Sequence, residues 1–377
     1  MSHTVSHSQH STIRCAQKAD IHALLSVENT CFTTDKLSKR SFQHFIKTGS
    51  HDLWVIEQNT PDQPAEIIGY ALVLYRTGTN LARLYSIALL PNQQGKGYAQ
   101  QLLNHVQQQV SQKYCVYMRL EVNVANQAAL KLYQKNGYKV ISQIEDYYED
   151  GSAALRMEKR LHASASKTSK PKPYYQQTTD FTCGPASLMM AIKTLQNDYE
   201  FSRHEELQIW REATTIFMTS GHGGCSPHGL ALSAWRRGRK VQLYLNRDDV
   251  PFIDGVRDEE KKAVIELVHQ EFLNQIAHTD IELKIHNLET EELNAILQTE
   301  SPVLALISTW RLNRNKAPHW IYVAESDENF VYINDPEPIE SEHLNQTDFE
   351  QIPISKQAFA QMARFGQKKL RALLVIS

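Results

Sequence analysis

The sequence predicts two domains, an α/β domain with a mixed central sheet followed by an α+β domain. Three observations lead there. The chain has 377 residues, and at roughly 150 residues per domain this is room for two or three. Residues 161–173, LHASASKTSKPKP, are small, polar and basic, carry two prolines and have no apolar periodicity, which is the chemistry of a linker. Strands and helices alternate before that stretch, whereas after it a helix led by a cysteine is followed at a distance by paired strands. The expected division is a disordered tail over 1–11, a first domain over 12–160, the linker 161–173 and a second domain over 174–377.

Composition narrows the function class. With 41% hydrophobic and 22% charged residues the chain is ordinary globular protein. Forty Lys+Arg against 42 Asp+Glu leave a net charge of −2, so nothing draws the whole molecule to nucleic acid or an anionic membrane. No apolar run approaches the ~20 residues of a bilayer span, and the polar start, Met1 to Arg14, has no apolar signal core. Five irregularly spaced cysteines make no disulfide framework. These features predict a reduced, cytoplasmic protein in which a cysteine is available as a nucleophile.

The elements of the first domain follow from periodicity. Ile21, Leu24, Leu25 and Val27 give Lys18 to Phe32 a helical face. Leu53–Glu57, Ile67–Tyr75 and Leu81–Leu90 are β-branched and aromatic, hence strands, with Pro61 and Pro64 marking the first hairpin. Tyr98, Ala99, Leu102, Leu103 and Val106 share one face of a helix within Gly95–Val110. Tyr114–Val124 reads as a strand, and Gln127–Asn136 as a helix stopped by Gly137. Tyr138–Tyr148 and Ala154–Lys159 close the sheet.

The informative stretch runs from Leu84 to Pro91 and on through Gln94-Gly95-Lys96-Gly97-Tyr98-Ala99. A strand ends, the chain turns on glycines, and a helix begins. A helix N-terminus leaves backbone N–H groups unpaired, and glycines let a phosphate approach them. The Leu120-Glu121-Val122 run then precedes Asn126-x-x-Ala129-x-x-Leu132-Tyr133-x-x-x-Gly137-Tyr138. Together with Glu28…Cys31-Phe32 and Tyr147-Tyr148-Glu149-Asp150-Gly151, these motifs over residues 12–160 resemble the GNAT N-acetyltransferases, and within them the RimI-type enzymes that acetylate a ribosomal protein's N-terminal alanine. The resemblance implies a GNAT fold and acetyl-CoA as cosubstrate. It implies a cofactor set of Ile87, Ala88 and Leu89 on the strand, the amides of Gln94, Gly95, Lys96, Gly97, Tyr98 and Ala99 under the pyrophosphate, and Asn126 beside the pantetheine arm. An ammonium acceptor must lose a proton and the departing thiolate gains one. The resemblance assigns these roles to Glu121 as base and Tyr133 as acid, with a water relay as the alternative to Glu121.

In the second domain Cys183 stands in Gln177-x5-Cys183-Gly184-Pro185-Ala186, with Pro185 suited to a first helical turn. Ala186, Leu188, Met189, Ile192 and Leu195 supply the helix face. Cys183 therefore sits at a helix N-terminus, where the dipole favours an anion. His319 begins a strand, Ser326–Asn329 is a turn, and Phe330–Asn334 returns to Asp335-Pro336. In a hairpin whose opposed residue numbers sum to 655, His319 faces Pro336 beside Asp335. A base and its orienting carboxylate are thus delivered side by side, completing a Cys-His-Asp set. Gln177 and the Cys183 N–H can supply oxyanion donors. With Glu300–Ile307 and Pro318-His319-Trp320, residues 172–377 resemble the papain-like cysteine peptidases of the bacteriocin double-glycine leader peptidase type. The resemblance implies a papain-like fold and thiol-dependent peptide-bond cleavage. The transporter portion that many such peptidases carry is absent from this sequence.

Ser220–Gly229 packs two His and one Cys into a glycine-rich run without an obvious fourth ligand. It reads as a cleft-lining loop rather than a metal site. Leu230–Arg236 starts a helix, Val241–Leu245 a strand, and Asp248–Glu271 a loop and a solvated helix. Three functional readings compete: a bifunctional acetyltransferase and peptidase, an acetyltransferase whose papain-like half only binds peptides, and a peptide-binding module in both halves. The intact Gln177, Cys183, His319 and Asp335 set favours the first. The expected partner is a peptide or protein N-terminus, and resemblance to peptide-modifying systems adds an ATP-grasp ligase.

Overall fold

A computed structural model describes residues 10–48, 51–59, 64–162, 172–215, 223–337 and 346–377. The expected tail up to residue 9, Pro61, most of the linker and Ser220–His222 lie outside them. Contacts divide the chain into two compact units, Met1–Ala163 and Ser164–Ser377.

The first unit runs β1 (His10–Cys15), α1 (Ile21–Cys31), α2 (Lys39–Lys47), β2 (His51–Asn59), β3 (Glu66–Tyr75), β4 (Leu81–Leu89), α3 (Tyr98–Gln112), β5 (Tyr117–Asn123), α4 (Gln127–Lys135), β6 (Lys139–Ile144) and β7 (Ala154–Arg160). Its sheet order is β1-β2-β3-β4-β5-β7-β6. β3 is the central divider. Ile68, Ala71 and Val73 face the α3/α4 core, while Ile67, Tyr70, Leu72 and Leu74 face the α1/α2 core. From Tyr70 to Leu74 this is the period-2 alternation of a strand covered on both sides, and the bulge at Ile68 opposite Ile56/Glu57 shifts the phase of Ile67 and Ile68. A β-bulge opposite Leu72/Val73 puts Tyr85 out of register on β4. β4 and β5 are parallel and pair only from Leu81–Arg83 against Tyr117–Arg119. Beyond those three positions the strands part.

Several boundaries differ from the sequence reading, each for a local reason. α3 starts at Tyr98 because Gly95 and Gly97 take φ of +76° and +88°, outside the right-handed helix. β5 starts at Tyr117, since Tyr114 (φ +58°) closes the turn after α3. β6 stops at Ile144 before Asp146 (φ +51°) reverses the chain. β1 pairs with β2 from His10, within the residues expected as tail. α2 was not anticipated; Ser38 caps it through Ser41 N, and Phe42 and Phe45 bury it.

The second unit runs α5 (Cys183–Leu195), α6 (Arg203–Ala213), α7 (Pro227–Arg236), β8 (Val241–Leu245), α8 (Glu259–Ile276), β9 (Glu282–Ile285), α9 (Thr290–Leu297), β10 (Val303–Ser308), α10 (Trp310–Asn313), β11 (Pro318–Ser326), β12 (Phe330–Asn334), β13 (Ile352–Ser355), α11 (Lys356–Met362) and β14 (Ala372–Ile376). The sheet order is β13-β12-β11-β10-β14-β8-β9, and among the described residues only β8 and β9 are parallel. α5, α6, α7 and α8 contribute to the core on one face, α9 and α11 to that on the other. Every residue of α5 from Cys183 to Ile192 is buried. α7 begins at Pro227, three residues earlier than expected, capped by Ser226. It approaches the end of α6 so closely that a Cβ on Gly229 would stand 2.6 Å from Ala213 Cα. The charged stretch hides a packed stripe: Ile265, His269, Phe272 and Ile276 recur at helical spacing on α8 and are buried. No helix among the described residues is long and apolar enough to cross a membrane.

Candidate active sites

In the first unit the chain leaves β4, turns through Pro91–Gln93 and enters α3 with Gly97 as a left-handed N-cap. A Cβ at Gly95 or Gly97 would meet nothing within 4 Å, so the turn faces open space as well as needing positive φ. This shape suits an anion resting on backbone amides. The Gln94 amide is taken by the Pro91 carbonyl (3.3 Å), so the cradle is built from the residues after it. Lys96 Nζ donates to Gln93 Oε1 (3.0 Å). Ile87, Ala88 and Leu89 lie on β4 beyond the positions where it pairs with β5. Asn126 caps α4, its Oδ1 accepting from Ala129 N (3.1 Å).

Tyr133 on α4 is buried, and burial pushes its phenol up, keeping it protonated at neutral pH. Tyr148 shares this environment: burial first, then Tyr147, Glu121 and Tyr133, push its phenol up too. Glu121 does not stand as a solvated strand carboxylate. Its side chain is 4% exposed and lies between two guanidiniums, Arg83 Nε at 2.8 Å and Arg156 Nε at 3.5 Å. Arg83 also donates to the Tyr147 hydroxyl (2.8 Å), and Arg156 to Ser142 Oγ (3.1 Å). Two adjacent cations favour the carboxylate form, a poor setting for a group asked to pick up an ammonium proton. Sequence reasoning missed both arginines, because one arginine on β4 and one on β7 are ordinary strand residues until the sheet order puts β5 between them.

In the second unit His319 and Asp335 meet as expected, but through a different register. β11 and β12 pair Tyr322 with Asn334 and Val323 with Ile333, then slip by one at a bulge before Glu325. The opposed numbers sum to 656 rather than 655. Extended outward, that register places Glu337 across from His319, with Asp335 two residues inward. His319 Nε2 lies 2.8 Å from Asp335 Oδ1, and both side chains are 5% exposed. Glu337 Oε2, which sequence reasoning missed by that one-residue slip, stands 3.5 Å from His319 Nδ1. Burial opposes charge on His319, but Asp335 and then Cys183 outweigh it, and the imidazole is pushed well above its ordinary value.

Cys183 heads α5, and its Sγ accepts from Trp320 N (3.5 Å), the residue after His319. A Cβ on Gly184 would lie 3.0 Å from Leu230 and 3.2 Å from Cys225 Cβ, so glycine after the cysteine lets α5 seat against α7. Gln177 is buried, and its Nε2 donates to Thr179 O (2.9 Å), leaving a second amide hydrogen. Cys225 is buried, and Trp320 Nε1 donates to its carbonyl (3.0 Å). Desolvation, then the neighbouring Cys183, push the Cys225 thiol well up. Among the described residues no group of three or more His, Cys, Asp or Glu is arranged to hold a metal.

With this geometry in place, residues 172–377 match the Peptidase_C39 like family, more than half of the chain. The chain belongs to the Peptidase_C39 like family. Ahead of its C39-like domain, residues 17–161 match the acetyltransferase (GNAT) domain. The [ribosomal protein bS18]-alanine N-acetyltransferase of Haemophilus influenzae is 34% identical over 97 residues, which are 26% of this chain and 60% of that relative's length. The ribosomal-protein-S18-alanine N-acetyltransferase of Escherichia coli is similar at 20% identity and a TM-score of 0.37, covering 42% of this chain and 99% of that one. Ard1 from Thermoplasma volcanium is similar at 20% identity and a TM-score of 0.36, over 41% of this chain and 99% of its own.

Proposed function

We propose that the chain is a bifunctional enzyme. Its first domain transfers acetyl from acetyl-CoA to an amine, in particular the α-amine of a peptide or protein, and its second hydrolyses peptide bonds through Cys183. The observation that carries the peptidase reading is the buried His319–Asp335 pair at 2.8 Å with Cys183 acting on the same imidazole. Asp335 engages Nε2, so the thiol proton goes to Nδ1, the nitrogen that Glu337 Oε2 also faces at 3.5 Å. The thiolate adds to the scissile carbonyl, and His319 returns the proton to the departing amine. Water, deprotonated by His319, then releases the acyl group. The α5 amides and the Gln177 amide face the requirement for oxyanion donors.

On the acetyltransferase side, acetyl-CoA supplies a thioester acyl donor. Gly95–Ala99 would hold its pyrophosphate at the α3 N-terminus, with Ile87–Leu89 and Asn126 along its arm. Tyr133, protonated, donates to the leaving thiolate. Glu121, held between Arg83 and Arg156, orders these arginines and through Arg83 the Tyr147 hydroxyl. The acceptor amine loses its proton to water. The likeness to an enzyme named for an alanine of ribosomal protein bS18 supports an α-amine acceptor.

Peptides incubated with the full chain and acetyl-CoA, then read by mass spectrometry for new termini and for acetyl groups, test both halves. Cys183→Ala is expected to remove cleavage and keep acetylation, and Tyr133→Phe to do the reverse. Cleavage that survives Cys183→Ala sinks the peptidase reading. Acetylation by the wild type with no cleavage of any peptide leaves the C39-like domain as a binding module.

A further inference from the structure

Glu206 belongs to neither proton-transfer set, yet its carboxylate is fully buried on α6. A buried carboxylate persists only when hydrogen-bonded. Among the described residues, the partners of this carboxylate come from one segment of eight residues, Tyr175 to Thr182. Oε1 accepts from Thr178 N (2.8 Å) and from the Thr182 hydroxyl, and Oε2 from Thr178 Oγ1 (2.7 Å) and Tyr175 Oη (3.0 Å). Thr178 follows Gln177 and Thr182 precedes Cys183. Each oxyanion donor is therefore one residue away from a bond to the same carboxylate. The Gln177 side chain has little else to fix it: among the described residues its amide holds Thr179 O alone, and its buried Oε1 has no partner.

We propose that Glu206 is a positioning residue that locks the Gln177 amide and the head of α5 into a single oxyanion-binding unit. The proposal rests on the peptidase reading of this domain. Donors work only when held to a fraction of an ångström against the developing oxyanion. The Glu206 carboxylate spans the segment from Tyr175 to Thr182 and fixes both donors relative to α6. A third tie, Gln177 N to Pro336 O (2.9 Å), joins the segment to the Asp335 strand. Glu206 touches neither substrate nor Cys183 in this scheme and acts through Thr178 and Thr182.

Two reagents separate this role from a merely structural one. p-Nitrophenyl acetate acylates a thiol through an oxyanion: the thiol proton passes to His319, sulfur bonds to the acyl carbon, and p-nitrophenolate leaves. Iodoacetamide alkylates the same sulfur by displacement of iodide at carbon and builds no oxyanion. Both rates are read at Cys183 by peptide mapping of the full-length chain, with Cys183→Ala as blank. Glu206→Gln keeps the volume; its amide oxygen can face Thr178 N while its NH2 faces hydroxyls that can accept. Acylation is expected to fall by about 10- to 100-fold, with alkylation within about threefold of wild type. Equal losses in both rates, or no loss in either, overturn the proposal. If wild-type Cys183 is not acylated at all, the peptidase reading fails before any Glu206 variant is consulted. Should Glu206→Gln not fold, Thr178→Val removes one donor to Oε2, and an unchanged ratio of acylation to alkylation there overturns the proposal equally.

Discussion

Tyr133 and His319 owe their use to burial, in opposite ways. For Tyr133 burial alone raises the phenol and keeps it a donor. Tyr133→Phe is therefore expected to lower acetyl transfer by about 10²-fold or more, with acetyl-CoA affinity little changed in calorimetry. Wild-type turnover in that variant returns Tyr133 to a packing role. For His319 burial opposes the charge and Asp335 restores it, so the imidazolium persists above the ordinary histidine range. Under the proposed peptidase function, the alkaline limb of peptide cleavage is expected to report loss of that proton. Asp335→Asn removes the stabilising charge, and the limb is expected to move to lower pH as kcat falls. A limb that stays put would show that another group titrates there. Thiol chemistry separates the cysteines further. Cys225 is pushed well up by desolvation and Cys183, and Cys115 up to about 12 by burial. Iodoacetamide at neutral pH is expected to label Cys183 and spare both. Equal labelling of Cys183 and Cys225 removes the case for a distinct nucleophile.

At the scale of elements, the parts that were legible in the sequence are those fixed by local rules. The positive-φ glycines before α3, the Gly137 stop after α4 and Pro185 in the first turn of α5 are all local chemistry. Gly97→Glu tests the first of these. It forces a side chain into left-handed backbone and sets an anion at the cradle, so acetyl-CoA binding is expected to vanish in calorimetry while the fold persists. Unchanged affinity would move the cofactor elsewhere. What stayed hidden depends on neighbours distant in sequence. The Glu121 ion pairs need β4, β5 and β7 side by side. The opposed residue numbers of β11 and β12 sum to 657 beside the turn and to 656 beyond the bulge between Val323 and Glu325, so a sum of 655 read from the turn residues alone concealed Glu337. The segment held by Glu206 looked like a featureless polar run, because its four hydrogen bonds end on α6, some thirty residues away.

For the whole molecule, each unit has cores of its own on both faces of its own sheet. Chains cut within the expected linker should therefore fold separately. Fragments 1–162 and 172–377 are expected to unfold each in a single transition, matching the two transitions of the intact chain in calorimetry. A fragment that melts without cooperativity would show that its unit borrows stability from the other.

The point at which the second unit begins has a practical bearing. Asn334 Nδ2 donates to Pro173 O (2.9 Å), Tyr174 Oη to Asp335 O (3.1 Å), and Gln177 N to Pro336 O (2.9 Å). Three rungs thus lash the incoming chain to the end of β12 and to the Asp335 and Pro336 that follow it. A tug on the linker, from a tether, a fusion partner or a bound surface, is delivered to Asp335 as directly as to the core against which Tyr174 and Tyr175 pack. Trimming five residues past Pro173 would take Tyr174 and Tyr175 from the edge of the core, the Thr178 bonds from Glu206, and all three rungs from the segment that holds Asp335. If the proposed peptidase function holds, the entry segment works as a tuning peg for it, and a load there is expected to register as lost turnover.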